Sequence, residues 1–259
     1  MQPTRNDLID IARSAGNILR QGYGQEHDVI YKGEIDPVTE IDRRSEEYLL
    51  KTITERFPGQ PIIAEESGLR EGSGELRWII DPLDGTVNFA HGIPIFSVSI
   101  AFAEGDDLIF GAVYDPLRDE CFSAERGKGA WLNGTPLRVA AVPELGQSLL
   151  TTGFYYDSWR NPENNLDNYA NLTLKTQGVR RLGSAALDLC YVAAGRFDGY
   201  WELRLGAWDM AAGALIAQEA GALVTSAQGD PEYFKPPYSV LAANPVLHAK
   251  ILAELLAKD

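Results

Sequence analysis

The chain has 259 residues, 45% of them hydrophobic, enough to bury one large core or two joined smaller ones. Its 23 Lys plus Arg against 37 Asp plus Glu leave a net charge of −14, which argues against the basic groove of a nucleic-acid binder. Cys121 and Cys190 are too few and too far apart for a disulfide framework or a zinc site, and no apolar leader or membrane-length run is present, so a cytoplasmic enzyme is expected, with no membrane or nucleic-acid partner.

In chain order, Leu8, Ile11, Ala12, Ala15, Ile18 and Leu19 recur at helical spacing behind the capping pair Thr4 and Asp7, which predicts a long amphipathic first helix. A second helix is expected over residues 39–57, opened by Thr39 and Asp42, with Ile41, Tyr48, Leu49 and Ile53 inward and Pro58-Gly59 as the stop. Strands are expected over 61–64, 77–80, 96–103, 108–115 and 121–124, with a turn around Gly105 and Asp106. Beyond Pro143 the pattern alternates helix and strand through 165–177, 184–194, 199–202, 210–220, 223–226, 240–243 and 246–258. The chain therefore reads as an α+β N-terminal subdomain, residues 1–142, and an α/β C-terminal subdomain, residues 143–259, with the chemistry at their seam.

The most informative segment is Asp81-Pro82-Leu83-Asp84-Gly85-Thr86, which follows the apolar run Trp78, Ile79, Ile80. Two carboxylates across a proline-stiffened turn, with the Leu83 carbonyl between them, can face one point, and hard divalent cations prefer such all-oxygen sets. Read alone, the segment is equally an Asp-Pro turn capped by glycine. Glu65 and Glu66 close the preceding strand, and because neighbouring strand side chains point to opposite faces, only one of them is expected at a shared metal. Asp209 opens the alanine-rich stretch ending near Gly221; it reads as an N-cap, a role compatible with metal binding. A carboxylate cluster repels phosphate unless divalent ions lie between, so the acidic site implies a cation. His27, His91 and His248 show no ligand spacing, and no histidine nucleophile is expected. Arg180 and Arg181 are candidates for attracting an anion, and Tyr155, Tyr156, Trp159 and Arg160 for lining the mouth of the site.

Taken together, Ala64-Glu65-Glu66-Ser67, Asp81 through Phe89, and Trp208-Asp209-Met210-Ala211-Ala212-Gly213 resemble the signatures of the inositol monophosphatase family. The resemblance spans nearly the whole chain and includes Asp36-Pro37-Val38-Thr39, Gly183-Ser184-Ala185-Ala186 and the segment from Phe197 to Glu202. It implies a layered αβαβα sandwich of the sugar phosphatase type, Mg²⁺-dependent hydrolysis with two or three ions per site, inhibition by Li⁺ and a homodimer. Carried over, Glu65, Asp81 and the Leu83 carbonyl hold one Mg²⁺, while Asp81, Asp84 and Asp209 hold a second. Thr86, partnered by Asp36, then orients or deprotonates the attacking water, with Glu65 as an outer participant. Asp84, Gly85, Thr86, Gly183, Ser184, Ala185, Glu202 and Asp209 are the implied substrate contacts. Ala64, Pro37 and Ile41 depart from the usual family residues without removing a ligand, and Asn88-Phe89 favours the inositol monophosphatase branch. Inositol 1-phosphate is the expected substrate, fructose 1,6-bisphosphate or NADP the alternative, and a silent metal-binding regulator the remote one.

Overall fold

The computed structural model describes residues 2–25, 29–31, 37–156, 158, 160–162 and 164–257. Both expected capping boxes form. At the start of α1 (Arg5–Gly22) the Thr4 hydroxyl oxygen accepts the Asp7 N–H and the Asp7 carboxylate accepts the Thr4 N–H at 2.8 Å. Thr39 and Asp42 repeat the exchange at α2 (Glu40–Arg56), which ends at Phe57 just before Pro58. Each box satisfies two of the donors a helix start leaves open.

These helices lie on one face of an eight-stranded sheet ordered β10 (Thr135–Pro136), β9 (Gly129–Leu132), β8 (Glu120–Glu125), β7 (Asp107–Asp115), β6 (Ser97–Glu104), β5 (Leu76–Asp84), β3 (Ile62–Ala64), β4 (Gly68–Arg70). All its pairings are antiparallel except that of β3 with β5, which is parallel. A small ribbon of β1 (Val29–Tyr31) and β2 (Pro37–Thr39) stands apart. The other face carries α5 (Ala185–Ala193) and α6 (Ala207–Glu219), which in turn support a mixed five-stranded sheet ordered β12 (Gly178–Arg180), β11 (Leu149–Thr152), β13 (Gly199–Glu202), β15 (Val240–Ala243), β14 (Leu223–Thr225). Helices α4 (Leu166–Lys175) and α7 (Pro245–Leu256) cover its outer face, giving five layers in the order αβαβα, and the short α3 (Thr86–Ala90) follows β5.

Burial on both faces explains why the strands read as continuous apolar runs. Along β5, Trp78 and Ile80 enter the core under α1 and α2, whereas Ile79 enters the core under α5 and α6. In β15, Val240 and Ala242 face α6 while Leu241 and Ala243 pack under α4 and α7. Helix α6, buried between two sheets, carries Ala211, Ala212, Ala214 and Ala217, small enough to sit close to the strands. No helix among the described residues is long and apolar enough to cross a membrane.

Candidate active site

The seam between the two sheets opens where β5 ends. The strand runs through Asp84 rather than stopping at Ile80, because a bulge absorbs the proline: Asp81 pairs with Ser99 and Asp84 with Ser97, leaving Pro82 and Leu83 opposite the single residue Val98. Pro82 has no N–H for the ladder, and an extra residue reverses the alternation beyond it. Two acids three apart, which a regular strand would send to opposite faces, thus share one. The Asp81 carboxylate accepts the Leu83 N–H at 3.0 Å, and the Ser45 hydroxyl of α2 donates to the Pro82 carbonyl at 2.9 Å, fixing the bulge.

Gly85 follows with φ 98°, a left-handed conformation that turns the chain into α3. A Cβ there would also meet the Ile95 carbonyl oxygen at 3.0 Å. Thr86 is the first residue of α3, and its side chain does not cap it. Its hydroxyl donates instead to Asp42 Oδ1 at 2.9 Å and to the Leu83 carbonyl at 3.0 Å. The single proton is committed inward, so the oxygen lone pairs remain to accept from a ligand. Asp42 is fully buried and also receives the Thr39 N–H and hydroxyl; burial raises its carboxyl above the usual range against those hydrogen bonds.

Two further acids, Glu65 and Asp209, join this strand end. The parallel register sets Ala64 beside Ile80, so Glu65 falls next to Asp81, and the Glu65 N–H donates to the Ile80 carbonyl at 3.3 Å. Glu66 is not in the lining of the cavity formed here, and its N–H donates to Glu46 Oε2 at 3.0 Å. Asp209 is the third residue of α6, not its N-cap; Gly206 is the cap, and its N–H donates to Asp209 at 2.6 Å. Asp84 reaches across the seam to α5, accepting the Ser184 hydroxyl and the N–H groups of Ala185 at 3.2 Å and Ala186 at 2.9 Å. The N–H of Ala185, one of the implied substrate contacts, is therefore engaged by Asp84.

Burial, then the charges of Glu65, Asp84 and Asp209, holds the Asp81 carboxyl well above the usual carboxylate range. Burial pushes Asp84 up to about 6 despite four donors. Asp81 and Glu65 stand within hydrogen-bond reach of each other, an approach two carboxyls tolerate only with a proton or a cation between them. Among the described residues no three acid, histidine or cysteine side chains close into a metal cage on their own. The uncharged Leu83 also lines the space beside these acids, and its carbonyl could add an oxygen to their donor set. The chemistry of that set, all oxygen and strongly anionic, fits a hard divalent cation.

A cavity of about 620 Å³ runs from these acids toward the five-stranded sheet. Glu65, Asp81, Leu83, Asp84, Gly85, Thr86, Gly183, Ser184, Ala185, Glu202 and Asp209 all line it, as do Tyr155, Tyr156 and Arg181. Arg180 and Arg160 are not in its lining, while Asp36, His27 and Trp159 lie outside the described residues. His248 pairs with Thr225 at 2.9 Å on α7, and His91 is an exposed C-cap. At the far end burial pushes Glu202 up to about 7, opposed by the Tyr200 hydroxyl, which donates to it at 2.6 Å, and by Arg181. Sequence reasoning missed Asp42 as the partner of Thr86, having read it only as a cap. It also missed Gly153, Asp188 and Arg204 in the lining; a lone acid in the apolar run Leu187-Asp188-Leu189-Cys190 was the one available signal.

The sequence model described as the inositol monophosphatase family matches residues 1–259. A protein of Pasteurella multocida named "Nus factor SuhB" is 45% identical over 261 residues, spanning 100% of this chain and 96% of its own length. An "Inositol-1-monophosphatase" of Mesorhizobium japonicum is 41% identical, with 95% of this chain and 94% of the relative covered. The solved structure of inositol monophosphatase from Anabaena (Nostoc) sp. superposes with a TM-score of 0.87 at 41% identity, covering 97% of this chain and 94% of that one.

Proposed function

The chain belongs to the inositol monophosphatase family, and from that premise we propose that it is a Mg²⁺-dependent phosphomonoester hydrolase acting on polyol phosphates, inositol 1-phosphate first among them. The observation that carries this reading is the meeting of Asp81, Asp84, Glu65 and Asp209 at one end of a cavity whose other end presents Glu202. Glu65, Asp81, the Leu83 carbonyl, Asp84 and Asp209 would hold the ions. When bound, Mg²⁺ lowers the pKa of water and offsets charge on the leaving oxygen.

The protein's own groups supply the rest of the reaction. Thr86 Oγ1, its proton turned toward Asp42 and Leu83, accepts from the attacking water and orients it. Glu65 takes part from the side of Asp81. The turn at Gly85 and the start of α5 at Gly183, Ser184 and Ala185 border the ester phosphate, and Glu202 accepts a hydroxyl of the alcohol. Residues 1–142 and 143–259 act in this reading as two subdomains closing on the cavity, in a homodimeric enzyme inhibited by Li⁺.

A second reading comes from the relatives named Nus factor SuhB. The net charge of −14 opposes direct contact with nucleic acid, so a role of that kind would run through protein contacts. Phosphate release with Mg²⁺ over inositol 1-phosphate, fructose 1,6-bisphosphate and NADP, with and without Li⁺, separates the readings. Preference for inositol 1-phosphate with Li⁺ inhibition supports the first; broad turnover makes the protein a generalist sugar phosphatase, and no turnover favours the second.

A further inference from the structure

Asp188 lies in α5 between Leu187 and Leu189 and is 2% exposed, yet it lines the cavity. Its Oδ1 accepts the Thr151 hydroxyl at 2.7 Å. Its Oδ2 takes no hydrogen bond from any described residue, and it is not among the sealed, unsatisfied atoms, which are Arg5 NH1 and Arg77 Nε. That oxygen therefore opens on the cavity. A buried carboxylate without a cation partner is costly unless its remaining lone pairs are used.

Glu202 is seated beside it by the same two strands. Strands β11 and β13 are parallel with Thr151 opposite Tyr200, so Thr151 and Gly153 share one strand face and Tyr200 and Glu202 share the adjoining one. Tyr200 holds Glu202 from one side, and the missing side chain of Gly153 admits it from the other: a Cβ there would stand 1.9 Å from Glu202 Oε2. Burial, with the charges of Glu202 and Asp84 behind it, raises the Asp188 carboxyl well above the usual range, against the Thr151 hydroxyl and Arg181. Two enclosed carboxyls thus line the same cavity, Asp188 one helical turn beyond Ser184.

We propose that Asp188 is a specificity-determining residue whose free oxygen accepts a second hydroxyl of the alcohol half of the ester, next to the hydroxyl taken by Glu202. The site then selects alcohols with neighbouring hydroxyls over esters without them. The proposal rests on the phosphatase reading, and its test keeps the two apart.

The experiment compares kcat/KM for inositol 1-phosphate and for phenyl phosphate, which has no hydroxyl to offer. In Asp188→Leu the Thr151 hydroxyl keeps the Arg180 carbonyl as acceptor at 3.2 Å, so no orphan donor is created. Losing one hydrogen bond to the substrate lowers the inositol-to-phenyl ratio about tenfold, chiefly through KM, and Asp188→Asn, which retains an acceptor, lowers it less. Equal loss on both esters, or an unchanged ratio, overturns the proposal while leaving the phosphatase reading intact. Should Asp188→Leu not fold, the same ratio in Asp188→Asn decides. A wild-type chain that hydrolyses neither ester removes the phosphatase reading and the proposal with it.

Discussion

Thr86 Oγ1 donates to Asp42 Oδ1 at 2.9 Å, joining the residue after the β5 turn to the third residue of α2 across 44 positions of sequence. Because Asp42 also takes both donors of Thr39, a helix cap and the site hydroxyl share one carboxylate. In the proposed reaction, removing the Thr86 hydroxyl would leave the attacking water without its acceptor. Thr86→Val is therefore expected to lower kcat about 10²-fold or more with KM little changed, the range typical of a positioned proton acceptor. Steady-state kinetics on inositol 1-phosphate checks this, and a change confined to KM would show that Thr86 serves binding instead.

Helix α1 allows a contrasting test of stability alone. Thr4 caps it through Asp7 on the surface, and neither residue lines the cavity. Thr4→Ala should cost about 1 kcal/mol, a fall in Tm of about 2–4 °C for a chain of this size. Phosphatase activity at low temperature is expected to stay at the wild-type level.

His248 supplies a pH dependence away from the site. It is 2% exposed and pairs with Thr225, and burial lowers its pKa below the usual histidine value. The unfolded chain then takes up the proton more readily than the folded one, so protonation favours unfolding. This contribution to stability is present in full above the ordinary histidine pKa and is lost as pH falls through and below it. The Tm of His248→Gln should therefore rise relative to that of the wild type as pH falls from 7.5 to 5.5 in thermal melts, a difference that isolates the histidine from Asp84 and Glu202, whose raised carboxyls act in the opposite direction.

Much of this arrangement is legible in the sequence where the signal is local. Thr4 with Asp7 and Thr39 with Asp42 mark two helix starts because a capping box is made within four residues. Gly199 to Glu202 forms a strand with the bounds its pattern sets, and Glu65, Asp81, Asp84 and Asp209 all line one cavity. Features set by distant pairing were not legible. The short strands Gly178–Arg180 and Leu149–Thr152 exist because they pair with each other and with β13, not because of their composition. Pro82 reads as a turn, yet a bulge carries β5 past it. Asp42 looks like a cap and nothing more until α2 is laid against the end of β5.

Asp81 is the proposed link between the metal-dependent chemistry and this strand end, and the direct measurement is Mg²⁺-dependent phosphate release from inositol 1-phosphate by Asp81→Asn beside the wild type. Relieving a buried carboxylate among Glu65, Asp84 and Asp209 should leave the fold intact, with a metal-free Tm no lower than that of the wild type. Turnover by the folded variant should fall about 10³-fold or more. Near-normal Mg²⁺-dependent turnover by Asp81→Asn would contradict that link.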